Sequence, residues 1–225
     1  MRRFLLSLFA FCVILPARGE DTLVLWDFDN NTIGPMEAIQ GAEHLSRVLP
    51  EALTRKLSQN SGLRIVERVH LRELLEEQKL GSSDVADQDT RLRLGKILGA
   101  SNMIFGEYLA LGPVIRVDVR LVDVATSQIL LSEPITGNEE ELLDGMDTLA
   151  QRIVEKYGQH YVKSQGGVPI PPEAWMAYET GLRQMDGKQY DAAIDTFKQL
   201  LGQYPGFAPA ERQIVLALER LARKN

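Results

Sequence analysis

Between Ile65 and Asp84 the chain reads IVERVHLRELLEEQKLGSSD, which places Glu73, Glu76 and Glu77 within about one helical turn of one another. Carboxylates at that spacing can act as general acid and base when their environments push their proton affinities apart. Such chemistry also needs a nucleophile, a set of metal ligands or a phosphate-holding loop. The sequence contains no G-x-S-x-G and no Walker-type loop to supply one. Leu71, Leu74 and Leu75 recur at i, i+3 and i+4 and make an apolar stripe, so the glutamates fall on the wet face of a helix. Arg72 stands one turn before Glu76, in position for an ion pair. The expectation is scaffold, with a hydrolase using residues 73–77 as the remote reading.

A second candidate is Asp27-Phe28-Asp29-Asn30-Asn31, which begins like a calcium loop of the D-x-D-x-N type. Its sixth position is Thr32 where the loop needs Gly, and its twelfth is Ala38 where the loop needs Glu. Turn chemistry at the end of a strand fits these residues better. His44, His70 and His160 are the histidines, and no two stand at metal-binding spacing. The expected catalytic, cofactor and metal sites are therefore none, and an enzyme is not expected.

The elements that would hold such residues begin after an export signal. Met1-Arg2-Arg3 precedes an apolar run, FLLSLFAFCVIL, and Ala17-Arg18-Gly19 follows Pro16. A basic start, a short apolar segment and small residues at the exit describe a cleaved leader over 1–19. Cys12 lies inside the apolar run behind Phe11, which is not the setting of an acylated cysteine, and the exported chain would then contain no cysteine. Loss of Arg2, Arg3 and Arg18 takes the bases from 25 to 22 against 31 acids, a net charge of −9. With no basic face interleaved with aromatics, nucleic acid is not an expected partner. No integral membrane segment is expected in the exported chain.

TLVLWDF (Thr22–Phe28) reads as a buried strand and LRIV (Leu63–Val66) as another. Apolar residues from Ile39 to Leu57 keep helical spacing, and Pro50 should start or kink that helix. Asn60-Ser61-Gly62 should stop it, and Gly81-Ser82-Ser83 the acidic helix. A further helix is predicted from Asp87 to Leu98 with Gly99 as its cap. Gly95 within it and Gly106 in the next strand point to close backbone approach or a bulge. Residues 102–136 predict a three-stranded meander, in which Ile115, Val117, Val119 and Leu121 alternate with Arg116, Asp118 and Arg120. Asn138 should cap a helix carrying Glu139, Glu140 and Glu141 in its first turn. Leu142, Leu143, Met146, Leu149, Ile153, Val154 and Tyr157 give that helix its core stripe.

SQGGVPIPP over 164–172 is a linker by composition. Beyond it, Ala174, Gly181, Ala193, Phe197 and Pro205 stand at the first, eighth, twentieth, twenty-fourth and thirty-second places of a segment that resembles a tetratricopeptide repeat. Such a repeat is a helix–turn–helix of about 34 residues that cannot bury its apolar face alone. The pair must rest on the last helix (Ala208–Arg223), on the first domain or on another chain. Trp175, Tyr178, Tyr190 and Tyr204 supply aromatic surface, either as core or as a groove for a protein partner.

Four segments taken in order, LVLWDFDN, RIVERVHLRELLEEQKLGSSD, RLGKILGASNMIFGEY and VDVRLVDVATSQIL, resemble the curli-secretion (CsgG-type) family and its relatives, including TolB-like amino-terminal domains. The resemblance spans about 22–162. Ser127 stands where the family's turn usually has Gly. The chain between Asn102 and Gly137 has residues for the sheet but none for barrel hairpins, so a pore is not expected. The resemblance implies an α/β domain of the periplasm that works through protein contacts. The expectations are then a leader at 1–19, an α/β (α+β) domain over 20–163 with a small mixed sheet packed by helices, a linker at 164–172, and a helical hairpin with a capping helix over 173–225. The implied protein is a non-enzymatic periplasmic adaptor or assembly factor whose partners are envelope proteins, with a place peripheral to the outer membrane left open. A homo-oligomer is open, and a ring-forming subunit of a secretion or fibre-assembly apparatus is the alternative.

Overall fold

The computed structural model describes residues 21–66, 68–78, 87–163 and 170–224. The leader at 1–19, the Gly81-Ser82-Ser83 stop, linker residues 164–169 and the side chains of His70, Arg72 and Glu76 lie outside the described residues.

β1 (Thr22–Leu25) runs parallel to β3 (Arg64–Ile65) on one side and to β4 (Asn102–Leu111) on the other. β5 (Val114–Asp123) and β6 (Ile129–Gly137) continue the sheet antiparallel, giving the order β3-β1-β4-β5-β6. Short β2 (Asp29–Asn30) pairs with β4 beyond the end of β1. The sheet is mixed and packed by helices, as the sequence predicts, and the expected meander is β4–β6. Ile115, Val117, Val119 and Leu121 are buried, while Arg116 and Asp118 pair through two 2.8 Å hydrogen bonds on the wet side. The β6 edge, unpaired among the described residues, contains Pro134, whose missing N–H interrupts any strand that would add there.

α1 (Met36–Ala42) and α2 (Leu45–Asn60) divide the helical region expected as one. Of the two readings of Pro50, a helix start is excluded: it lies inside α2. The reason is local. Proline cannot donate to the carbonyl four residues back, so Ser46 O is free, and it accepts from Phe28 N at 2.9 Å. Ser46 Oγ also donates to Phe28 O at 2.7 Å, so the helix spends its missing hydrogen bond on the β1–β2 connection. The expected strand Thr22–Phe28 accordingly stops at Leu25, with Phe28 turned to α2.

α3 (Arg68–Glu77) and α4 (Gln88–Ile97) cover one face of the sheet with a core of Val24, Trp26, Leu71, Leu74, Leu92, Met103 and Phe105. Asp87 caps α4 by accepting from Thr90 N at 2.9 Å, and Gly99 leaves the helix at φ +69°. A Cβ at Gly95 would stand 2.3 Å from Met103 Sδ, and one at Gly106 would stand 2.5 Å from the Phe28 ring. Close approach explains both glycines; the irregularity in strand register falls elsewhere, at Leu121/Val122.

α2 and α5 (Glu139–Lys156) cover the other face, and the expected stripe of α5 is buried there from Leu142 to Val154. Asn138 caps α5 in a reciprocal box: its side chain accepts from Glu141 N at 3.0 Å and its N donates to Glu141 Oε2 at 2.8 Å. α6 (Pro172–Asp186), α7 (Tyr190–Gln203) and α8 (Ala208–Lys224) form the helical hairpin and its third helix. Their apolar residues join the α2/α5 core in one unbroken cluster. The hairpin therefore rests on α8 and on α2 within the same chain.

Candidate protein-docking groove

The junction between the sheet layer and α6–α8 is where charge gathers. Arg47 and Glu51 lie one turn apart on α2 and so point the same way. Arg47 donates to Glu179 and to Asp186 of α6. Glu51 accepts from Arg212 Nη2 of α8 at 2.8 Å. Arg220 and Arg223, also of α8, come within 3.8 and 3.9 Å of Glu73 Oε1 on α3. Burial works against the Arg47 charge, but the hydrogen bond and field of Glu179, with those of Asp186, hold the guanidinium above its ordinary proton affinity. The buried Glu179 keeps its second oxygen, Oε2, without a hydrogen-bond partner among the described residues.

Beside these ties α2, β3, α3 and α8 enclose an open groove of about 550 Å3. Leu25, Leu63 and Ile65 contribute apolar surface from the sheet end, Val215 and Leu216 from α8, and the Glu51–Arg212 pair crosses its lining. Val215 is 56% exposed and Leu218, one turn of α8 away, 52%. An apolar strip edged by paired charges can receive an apolar side chain of a protein partner, and the rim pairs can exchange with the partner's own charges.

The structure distributes the sequence-predicted residues unevenly. Glu73 faces Arg220 and Arg223, and Glu77 is exposed. The acidic helix thus gives one ion-pair partner to α8 and assembles no acid–base pair among its described side chains. Trp175 and Tyr178 require a correction as candidate partner-binding residues, because both are buried and offer a partner no surface here. Trp175 meets Phe207 edge-on at 4.8 Å, and Tyr178 lies 5.7 Å from Phe197 and 5.4 Å from Phe207. Aromatic pairs in this geometry hold a core together. Tyr190 and Tyr204 are half-buried at its edge. Gly181 faces Phe197 so closely that a Cβ would stand 2.3 Å from the ring; Ala193 is buried, and Pro205 follows the end of α7.

The Asp27–Asn31 segment does turn chemistry. Asp29 accepts two 2.8 Å hydrogen bonds from Arg91, whose guanidinium lies 5.6 Å over the Trp26 ring. Asn30 Oδ1 accepts from Thr32 N at 3.0 Å, and Asn31 Nδ2 donates to Glu107 at 2.9 Å. Among the described residues no three His, Cys, Asp or Glu side chains converge as metal ligands. His44 lies between Gly41 O at 3.1 Å and Glu139 Oε2 at 3.2 Å, and His160 is exposed.

Sequence reasoning missed Arg47, Glu179, Arg91 and Phe207. The first two are 132 residues apart, and no local spacing announces such a pair. Phe207 had a signal, since it stands between the Tyr204-Pro205-Gly206 break and the last helix.

A family model described as "Curli production assembly/transport component CsgG" matches residues 16–114, less than half of the chain. No curated protein matches. Among solved structures, the LpoB C-terminal domain from Salmonella enterica is similar at 16% identity and TM-score 0.41, covering 53% of this chain and 84% of that one. Lipoprotein GNA1162 from Neisseria meningitidis is similar at 16% identity and TM-score 0.38, over 65% of this chain and 99% of that one. TolB from Acinetobacter baumannii is similar at 11% identity and TM-score 0.40, over 62% and 28%. All three TM-scores are below 0.5, so these likenesses carry no conclusion about activity. No described helix is long and apolar enough to cross a membrane.

Proposed function

We propose that this protein is a non-enzymatic adaptor of the cell envelope that acts by binding other proteins from the periplasmic side, with α6–α7 as a single tetratricopeptide-type unit. The observation that carries the reading is the groove of about 550 Å3 beside a charge-locked junction, with the exposed Val215 at its α8 wall. A rigid junction holds the two walls of such a groove in one relation, which lowers the ordering cost of binding. The leader-like start and the match of residues 16–114 to an assembly and transport family support the location and the class.

The test is a photo-crosslinking residue placed at Val215, with Lys198 on the exposed side of α7 as control, in cells separated into periplasm and cytoplasm. The expected result is a processed chain in the periplasm that crosslinks to a discrete protein from Val215 and not from Lys198. A cytoplasmic chain, or equal labelling from both positions, would overturn the reading.

The family match also supports a second reading, a ring-forming subunit of a secretion or fibre-assembly apparatus. Light scattering behind a sizing column separates the two. A monomer or dimer is expected, and a discrete high oligomer would favour the ring. Pro134 on the edge strand β6 counts against ring closure by strand addition.

A further inference from the structure

At the end of the sheet away from the groove, the β4–β5 turn and the β2–α1 loop are stitched side by side. Asn31 N donates to Tyr108 O at 2.8 Å, and Ala110 N donates to the buried Thr32 Oγ1 at 3.1 Å. This backbone frame holds four large apolar side chains out in solvent: Ile33 is 83% exposed, Leu111 64%, Met36 63% and Val114 48%. Apolar residues scattered singly need no explanation, but four at one end of one sheet do. Next to them, α1, the turn and the start of α5 enclose a cavity of about 460 Å3 whose walls include Ala38, Ala42, Pro113 and Ile115, with His44 and Glu139 among them.

Apart from His44, which pairs with Glu139, the charge around this tip has one sign. Glu37, Glu43 and Glu140 are exposed, and Glu139 has a buried oxygen, Oε1, without a hydrogen-bond partner among the described residues. Residues 29–46, 107–115 and 137–151 contain no Lys or Arg. The nearest arginines in sequence are engaged, Arg47 with Glu179 and Asp186 and Arg116 with Asp118. A second copy of this chain would bring carboxylates against carboxylates, and an anionic lipid surface would be repelled in the same way. A cationic amphipathic segment meets both demands: its apolar face covers the four side chains and its Lys or Arg residues meet the glutamates.

We infer that the β4–β5 tip, with the β2–α1 loop and the start of α5, is a docking surface for a basic, amphipathic segment of a partner protein. The inference rests on the protein-binding reading above but assigns a surface that the groove does not include.

The test titrates the isotope-labelled full chain with a synthetic Lys/Leu amphipathic helix and with the same peptide carrying Glu for Lys, following amide shifts. Only the Lys/Leu peptide is expected to bind. Shifts should centre on Ile33, Leu111 and Val114, and binding should weaken as salt rises. Leu111→Thr with Val114→Thr should weaken it roughly tenfold or more. Glu37→Lys with Glu140→Lys, which leaves the sheet untouched, should do the same and serves if the first variant misfolds. Absence of binding, equal binding of the Glu peptide, shifts confined to the α2/α8 groove, or tighter binding to phosphatidylglycerol vesicles than to the peptide would each overturn the inference. Because the crosslink at Val215 is read separately, failure at the tip with that crosslink intact removes this surface alone. Loss of the Val215 crosslink removes the adaptor reading.

Discussion

The two sides of α2 do different work. Toward the sheet it presents Leu45, Val48, Leu49, Leu53 and Leu57, each at most 1% exposed. Toward α6–α8 it presents Arg47 and Glu51, each tied to a distant helix by charge. An apolar face is non-directional and accepts repacking if volume is kept. A bidentate guanidinium accepts one arrangement of carboxylates and little else. The sheet side therefore supplies cohesion, and the outer side sets how the helical unit sits, which is the geometry the groove depends on.

The strongest way to break this comparison is Arg47→Ala. It leaves the buried Glu179 without its cation, and removing one partner of a buried pair costs about 3–5 kcal/mol. Replacing both, Arg47→Met with Glu179→Leu, should return most of that loss, because the desolvation cost of both charges disappears. The two tryptophans report the two regions, Trp26 under Arg91 in the α3/α4 core and Trp175 in the helical core. Urea unfolding of Trp26→Phe and Trp175→Phe backgrounds should show Arg47→Ala lowering the Trp175 midpoint. A change under about 0.5 kcal/mol, the scatter of ordinary surface substitutions, would mean the pair does not hold the unit.

A second comparison pits two glycines against each other. A Cβ at Gly181 would enter the Phe197 ring, and one at Gly95 would meet the Met103 thioether, both at 2.3 Å. Phe197 is fully buried beside Tyr178 and cannot swing away, so Gly181→Ala should cost about 1–3 kcal/mol through overpacking. Met103 has flexible torsions, and Ala gains about 1 kcal/mol over Gly inside a helix, so Gly95→Ala should cost less. Thermal unfolding of the two variants checks the order. If Gly95→Ala proves the worse, the α3/α4 side is the stiffer part of the molecule and the comparison inverts.

What could be read from the chain, and what could not, divides along the same line. Alternation in β5, the Asn138 cap, the helix beginning near Asp87 and the apolar stripe of α5 are local patterns whose meaning is fixed within a few residues, and each stands where the pattern predicts. The helical hairpin was legible from the spacing of Gly181 and Phe197, which touch as two helices must. Pro50 could be narrowed only to a helix start or a kink, because its compensation comes from Phe28, a residue on another element. Arg47, Glu51 and Glu73 find partners more than 130 residues away, and nothing in a local window distinguishes them from solvated charges. The site is the part that needs the fold.

A third junction lies between these two, where His44 at the start of α2 meets Glu139 at the start of α5. The hydrogen bond that His44 donates to Glu139 raises the imidazole above its ordinary value; burial opposes it, and the Glu139 charge, the Gly41 carbonyl and the field of Glu179 add to it. A raised value in the folded state means the imidazolium stabilises the fold in full below the unfolded value of about 6.5. That contribution declines as pH rises through the folded value. Glu139→Gln removes the main cause. The melting temperatures of wild type and Glu139→Gln should therefore differ more near about pH 5.5 than near about pH 8.5. A gap that is constant or grows with pH would place the stabilising charge elsewhere.

The smallest effect tests whether the two regions unfold together. Ser127 takes the left-handed conformation, φ 60°, in the β5–β6 turn. The turn holds it there: Thr126 donates from N at 2.7 Å and from Oγ1 at 2.8 Å to Asp123 Oδ1, and Ser127 N donates to Asp123 O at 2.8 Å. An L-residue in this conformation carries roughly 1–2 kcal/mol of strain, which Gly lacks, although Gly loses more chain entropy on folding. Ser127→Gly should stabilise by a net of about 0.5–1 kcal/mol. The informative reading is which tryptophan reports it. A rise at both Trp26 and Trp175 means that strain relieved in a turn of the sheet is felt in α6–α8, so the charged junction transmits stability as well as geometry. A rise at Trp26 alone means the helical unit melts by itself, and the ion pairs of α2 position it without binding its fate to the sheet.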